Sequence, residues 1–189
     1  MENLHIQLNG LSPLLMNNPA GSMTRPTGGQ VLGRKNIPTP EAEAKASRYV
    51  LPDGNLFMLA VAVRNCLLTA TKGQLINRKS ALPFVSGGIL MIAEAFPLYR
   101  KGKPIKGDDY SVFTCRAVVQ RQGIMRSRAR VELPWQLDCI FQYNKDIISL
   151  DVIRAIAERA GQIVGIGDYR VEKKGWSGRF EVTKVFTEG

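Results

Sequence analysis

This 189-residue chain has a single histidine, three cysteines and no long apolar run. One histidine, His5, excludes most histidine-based triads and histidine-rich metal sites; in the alternating segment around it, it reads as a strand residue. Cys66, Cys115 and Cys139 are odd in number and far apart, which is neither a disulfide framework nor a zinc pattern, so buried reduced thiols are expected. No stretch reaches the roughly 18 apolar residues that span a bilayer. MENLHIQLNG has no basic region leading into an apolar run, so neither a secretory signal nor a membrane partner is expected, and a cytoplasmic protein is. Acidic residues are scarce: 26 Lys and Arg face 16 Asp and Glu, for a net charge of +10. Such a balance favours a polyanionic partner. Hydrophobic content of 44% suits a globular chain, and the length suits one domain, 1–189.

LHIQLNGL (4–11) alternates as an opening strand. Residues 11–40 follow, rich in Pro, Gly and Asn, with Arg25, Arg34 and Lys35 and no acid, as a long loop within an 11–56 insertion. EAEAKASRY predicts a helix capped by Thr39 with Pro40 at its first position. PDGN (52–55) predicts a turn, and 57–72 a buried helix ending at Gly73. After a basic link, 77–80, residues 88–98 predict a buried strand and 99–110 a charged, flexible crossing. The arms 111–121 and 123–133 predict a hairpin around a Gln-Gly turn. WQLDCIFQYN predicts a strand, LDVIRAIAERAGQIV an amphipathic helix capped by Ser149, and RFEVTKVF a last strand. Setting the insertions aside leaves strand, helix, strand, strand, helix, strand. The expected fold is α+β: a modified ferredoxin-like or RNA-recognition (βαββαβ) palm with a long loop after the first strand and an inserted hairpin over 99–133.

From Arg100 to Arg130, nine Lys and Arg against two Asp net +7. Arg116 and Arg121 belong to this arm. Arg126, Arg128 and Arg130 alternate, so in a strand they project from one face, at about the spacing of successive phosphates. No acid lies between Asp109 and Glu132 to neutralise the row; a solvated strand face or a charged sheet edge is the plain alternative. A second cluster is GIGDYRVEKKGWSGRF. Gly165 and Gly167 allow backbone to approach a phosphate, Arg170, Lys173, Lys174 and Arg179 supply charge, and Tyr169 and Trp176 supply stacking surfaces. A glycine-rich turn with a packed Trp accounts for that segment equally well. The glycine spacing fits neither a dinucleotide nor a Walker signature, and Asp168 has no partner carboxylate for acid–base work. Arg78 and Lys79, with Arg34 and Lys35, extend the basic surface over several segments.

Three segments carry a resemblance: the opening strand into LNGLSPLLMNNP, DGNLFMLAVAVRNCLLTA, and GIGDYRVEKKGWSGRFEV with Gly175, Gly178, Arg179 and Phe180. Together they resemble the RAMP superfamily, RNA-binding backbone subunits of CRISPR effector complexes, although Leu59 to Arg64 replaces the family's small-residue turn. The chain is short for the family, as a reduced or phage-borne relative would be. The resemblance implies a palm with a hairpin thumb, formed by 111–133, and Ile124 and Met125 as apolar wedges near its tip. It implies head-to-tail homo-oligomers that grip single-stranded guide RNA, with or without paired DNA, beside other effector subunits in an antiviral ribonucleoprotein. In the RNA-cleaving branch an aspartate in the loop after the first strand cuts with a divalent metal. Residues 11–40 hold no Asp or Glu, so binding without cleavage, with no metal, cofactor or catalytic residue, is the expectation. A phage or plasmid protein that coats or anneals single-stranded DNA is the alternative, and a structural subunit with an incidental basic face is the bland one. Changing Arg126, Arg128 and Arg130 to Ala is expected to flatten the slope of log K against log salt by about two to three, with little change in melting.

Overall fold

The computed structural model describes residues 1–19, 38–119 and 122–188. In chain order the described elements are β1 (Glu2–Gly10), β2 (Leu14–Leu15), α1 (Pro40–Ala46), β3 (Phe57–Leu59), α2 (Ala60–Ala70), β4 (Leu75–Ile76), β5 (Lys79–Ser80), α3 (Ala81–Gly88), β6 (Ile89–Met91), β7 (Ala95–Arg100), β8 (Lys103–Pro104), β9 (Ser111–Val119), β10 (Gln122–Val131), β11 (Gln136–Tyr143), α4 (Leu150–Ile163) and β12 (Phe180–Glu188). The class is α+β with antiparallel sheets. No helix among the described residues is long and apolar enough to cross a membrane.

The main sheet runs β12–β1–β11–β7–β3, with β6 also on β11 and β8 also on β7. Its register follows from the alternation in β1. Leu4, Ile6 and Leu8 lie opposite Phe141, Cys139 and Leu137, so all six face one core. A slip of one residue would turn every one of them outward. Against this face pack Val63, Cys66, Leu67 and Ala70 of α2, together with Ile153, Ile156, Ala157 and Ala160 of α4. A second sheet, β2–β10–β9, is built on the hairpin arm. Leu14 and Leu15 of β2 and the following Met16 are fully buried, and Met16 N–H donates to Ala129 O at 3.0 Å. Helix α1 closes over β10. The Ser47 hydroxyl accepts from Ala129 N–H at 2.8 Å and donates to Ala44 O at 2.8 Å. The described part of the 11–56 insertion is therefore packed structure, while Arg25, Arg34 and Lys35 lie outside the described residues.

Several expectations need correction. The run 57–72 begins as a strand, because a continuous apolar stretch suits a buried strand and a buried helix alike; Phe57 to Leu59 pair with Pro97 to Ala95 before α2 starts. Residues 81–88 form α3, in a stretch where the sequence pattern assigns no element before the strand expected from 88. Pro83 sits in its first turn, where a missing N–H costs nothing, and Ser80 caps it by accepting from Leu82 N–H at 3.4 Å. The strand expected over 88–98 is two pieces, β6 and β7, separated at 92–94. The basic link is a hairpin whose turn residues Asn77 and Arg78 have φ of 51° and 64°, the pairing of left-handed residues that a two-residue turn demands. The crossing expected to be flexible is held in place. Ile105 is buried, and Arg100 pairs with Asp109 and donates to Glu132 O at 3.1 Å and Pro134 O at 3.2 Å. Gln122 pairs with Val119, so the Gln-Gly pair belongs to an arm and not to the turn. Ser149 stands at the N-cap of α4, as expected, but its side chain makes no capping bond.

In α4, Gly161 lies against β12. A Cβ there would stand 2.0 Å from Phe180 O. Gly to Ala ordinarily steadies a helix by up to about 1 kcal/mol. Gly161→Ala should instead lower the urea midpoint, and a raised midpoint would show that α4 and β12 do not approach this closely.

Candidate nucleic-acid interface

The stretch from Gly165 to Gly178 is a loop tied into the fold by its own backbone. Gly178 N–H donates to Pro13 O at 2.9 Å, Asp168 N–H to Leu15 O at 2.9 Å and Ser177 N–H to Tyr169 O at 3.1 Å. Two glycines make that possible. Gly178 has φ of 68°, and a Cβ on it would stand 1.8 Å from Ile166 O; one on Gly175 would stand 1.8 Å from Tyr169 O.

This loop forms one wall of a groove whose other wall is α2. The groove encloses about 340 Å³ and is lined by Ala62, Asn65, Cys66 and Thr69 of the helix, by Gly165 to Asp168 and Arg170, and at one end by Asn17 and Tyr49. Beyond Asn65, Thr69 and Arg170 it continues into a second hollow of about 520 Å³ that reaches Lys72, Ser80 and Leu82. Asn65 and Thr69, spaced at i and i+4, place polar side chains on one side of a mostly apolar helix, and Lys72 follows in the turn after it. Arg170 is fixed by two donations to Glu172 Oε2, at 3.1 and 2.8 Å, and one to Gly167 O at 3.3 Å. Burial works to raise the pKa of the Glu172 carboxyl. The hydrogen bonds and charge of Arg170, with Lys173 and Lys72 nearby, outweigh it and hold the group below its ordinary value. Tyr49, whose hydroxyl donates to Asn17 O at 2.9 Å, titrates higher than usual because of burial and the charge on Asp168. Burial pushes the Cys66 thiol up to about 12, so it lines the groove as an inert group.

On the arm, β10 alternates, so Arg126, Arg128 and Arg130 share a face with Cys115, Phe113 and Ser111 of β9. The expectation that nothing neutralises this row is overturned. Arg126 meets Glu43 of α1 at 3.4 Å, Arg128 pairs with Asp168 of the glycine loop, and Arg130 holds Glu132 at 2.6 Å. Two of the three carboxylates come from segments about 40 and 80 residues away, a distance the local stretch from 109 to 132 does not show. The arm and the loop meet again at Phe113. Its ring lies 6.4 Å from both Tyr169 and Trp176, and Arg130 stands 5.5 Å from its centroid.

Of the residues singled out in the sequence, Arg170 lines the groove, and Arg128, Arg130, Tyr169 and Trp176 gather where arm meets loop. Lys173, Lys174 and Arg179 are exposed on or beside the loop, with Lys173 3.7 Å from Glu172. Arg78 and Lys79 are exposed in the β4–β5 hairpin, one residue from the groove-lining Ser80. Arg116 is exposed on β9; Ile124 is half-buried and Met125 is 64% exposed on β10. Arg34, Lys35 and Arg121 lie outside the described residues. The sequence pattern does not mark Asn17, Tyr49, Asn65, Thr69 and Lys72 as lining residues; the polar Asn65 and Thr69 in an apolar helix are a signal for those two alone. No protein-family model and no curated protein matches this chain.

Two consequences can be measured. Arg128→Ala leaves the Asp168 carboxylate without its partner in a confined place, so the expectation of unchanged melting is withdrawn; stability should fall by on the order of 2 kcal/mol. A variant that melts like wild type would place that pair in solvent. Since folding lowers the pKa of Glu172, its contribution to stability is full above the ordinary 4.5 and disappears as pH falls through the folded value. Glu172→Gln should therefore lose less melting temperature than wild type on acidification through that range, and equal losses would count against the assignment.

Proposed function

We propose that this protein binds single-stranded RNA without reading its sequence, as a repeating, non-cleaving backbone subunit of a CRISPR-type ribonucleoprotein. The observation that carries the reading is the groove between α2 and the glycine loop, with Arg170 and Lys72 along it and a basic arm docked at its end. An extended, unpaired strand is the ligand shape that such an open, polar channel, with exposed lysines around it, accommodates. Three further points support it. The long strands stand in the order last, first, third, second, which is that of a ferredoxin-like palm, with α2 and α4 as its two helices. The arm is inserted between the second and third of these strands, the place a thumb would occupy. The glycine loop precedes the last strand, as it does in the RAMP superfamily that the sequence resembles.

Because the arginine row already holds carboxylates, phosphate contacts on this reading fall to the exposed cations around the groove. Changing Lys72, Lys79 and Lys174 together to Ala should weaken binding equally for all sequences. Each phosphate contact on a single strand contributes about 0.7 to the salt slope, so the slope should flatten by about two. An unchanged slope would refute the groove as the binding surface. Competition between RNA and DNA of equal length separates this reading from a single-stranded DNA-coating protein, and co-purified RNA of uniform length supports the ribonucleoprotein.

A further inference from the structure

We propose that Trp176, with Tyr169 and Phe113 behind it, is a base-stacking platform that takes the unpaired bases of a single strand at the junction of arm and glycine loop; this rests on the nucleic-acid reading above. The platform is built, and its outer ring is left open. Ser177, next to Trp176, is fully buried, and the backbone at Gly175 and Gly178 packs too closely on backbone oxygens to admit a Cβ, which fixes the path of the loop on both sides of the indole. Yet Trp176 is 46% exposed and Tyr169 37%. Trp176 meets Phe113 at an interplanar angle of 80°, a T-shaped contact that uses one edge or one face and leaves the rest of the indole to solvent. The far side of the cluster is closed by Arg130, which stands over Phe113 and is itself held by Glu132.

Charge selects the occupant. Lys173, 3.7 Å from Glu172, and Lys174 are exposed in the same loop and Arg179 follows it, so a stacked base arrives with its phosphates beside exposed cations. The arginine row behind the rings offers little to a phosphate, because each of its guanidinium groups already holds a carboxylate. Flat apolar rings backed by satisfied charges and flanked by exposed lysines suit a strand whose bases are unstacked and turned outward. A duplex, which keeps its bases inside, does not fit. A loop fixed before binding loses little freedom on capturing a base.

The chain contains two tryptophans, and Trp135 is fully buried with its indole N–H donating to Ser12 O at 2.8 Å, so ligand-dependent quenching reports Trp176. The probes are oligouridylate, oligothymidylate, an abasic phosphodiester of equal length, and a duplex. Oligouridylate should quench the emission; the abasic strand and the duplex should not. Trp176→Ala should keep the wild-type melting temperature, weaken oligouridylate binding on the order of ten-fold and leave the salt slope unchanged, whereas Trp176→Phe should retain most of the affinity. Equal quenching by oligothymidylate would support stacking on bases of either sugar. If the abasic strand binds as tightly as oligouridylate, or Trp176→Ala binds like wild type, the platform is refuted while the nucleic-acid reading stands. If none of the oligomers binds, that reading falls and the platform with it.

Discussion

The pairing of Arg128 with Asp168 joins the parts of this molecule that do not belong to its main sheet. Asp168 takes part in three interactions at once: its N–H donates to Leu15 O, its Oδ1 accepts from Tyr169 N–H at 2.8 Å, and its other oxygen faces Arg128. Strand β2, the glycine loop and the arm are thereby held at one point. Two opposite charges removed from water must face each other closely or both become costly. That constraint sets the position of the arm over the loop, and with it the wall of the groove and the approach of Phe113 to Tyr169 and Trp176.

Holding the arm this way changes what its arginines do. In an isolated strand they would be a row of free cations. Here each is occupied by a carboxylate from α1, from the loop or from the end of β10, and one also covers an aromatic ring. The row acts as scaffolding, and exposed positive charge stands instead on the loop, the turn after α2, the β4–β5 hairpin and Arg116 of β9. Net charge alone would have placed the binding surface on the arm. The paired geometry instead leaves exposed positive charge beside the groove and on the rim of the loop.

The regular elements were legible wherever a period was clean. The alternation of β1 and β11, the spacing of Leu150, Ile153, Ile156 and Ala157 in α4, and the Thr39-Pro40 start of α1, where Thr39 accepts from Ala42 N–H at 3.2 Å, all stand where their patterns put them. Legibility failed where local signals conflict. The segment forming α3 carries a proline and two glycines, and its helix is upheld by contacts instead: Gly88 leaves room for Ile148, whose Cγ2 would stand 2.4 Å from an added Cβ. Of the site, the glycine loop and its aromatic residues were visible as composition. The lining from Asn17, Tyr49 and α2 was not, because those residues are ordinary until the fold brings them opposite the loop.

Periodicity and turn chemistry are local, and the sequence by itself determined what depends on them: an α+β chain, its long strands, its last helix, and an excess of positive charge in the arm and the tail-end loop. Only the tertiary structure decided which charges remain free. Electrostatic pairing depends on distance in space, and Glu43 and Asp168 reach the arginine row across 83 and 40 residues of chain. The same holds for the groove, whose two walls are about 100 residues apart and exist as a surface only once α2 and the loop are packed on one core.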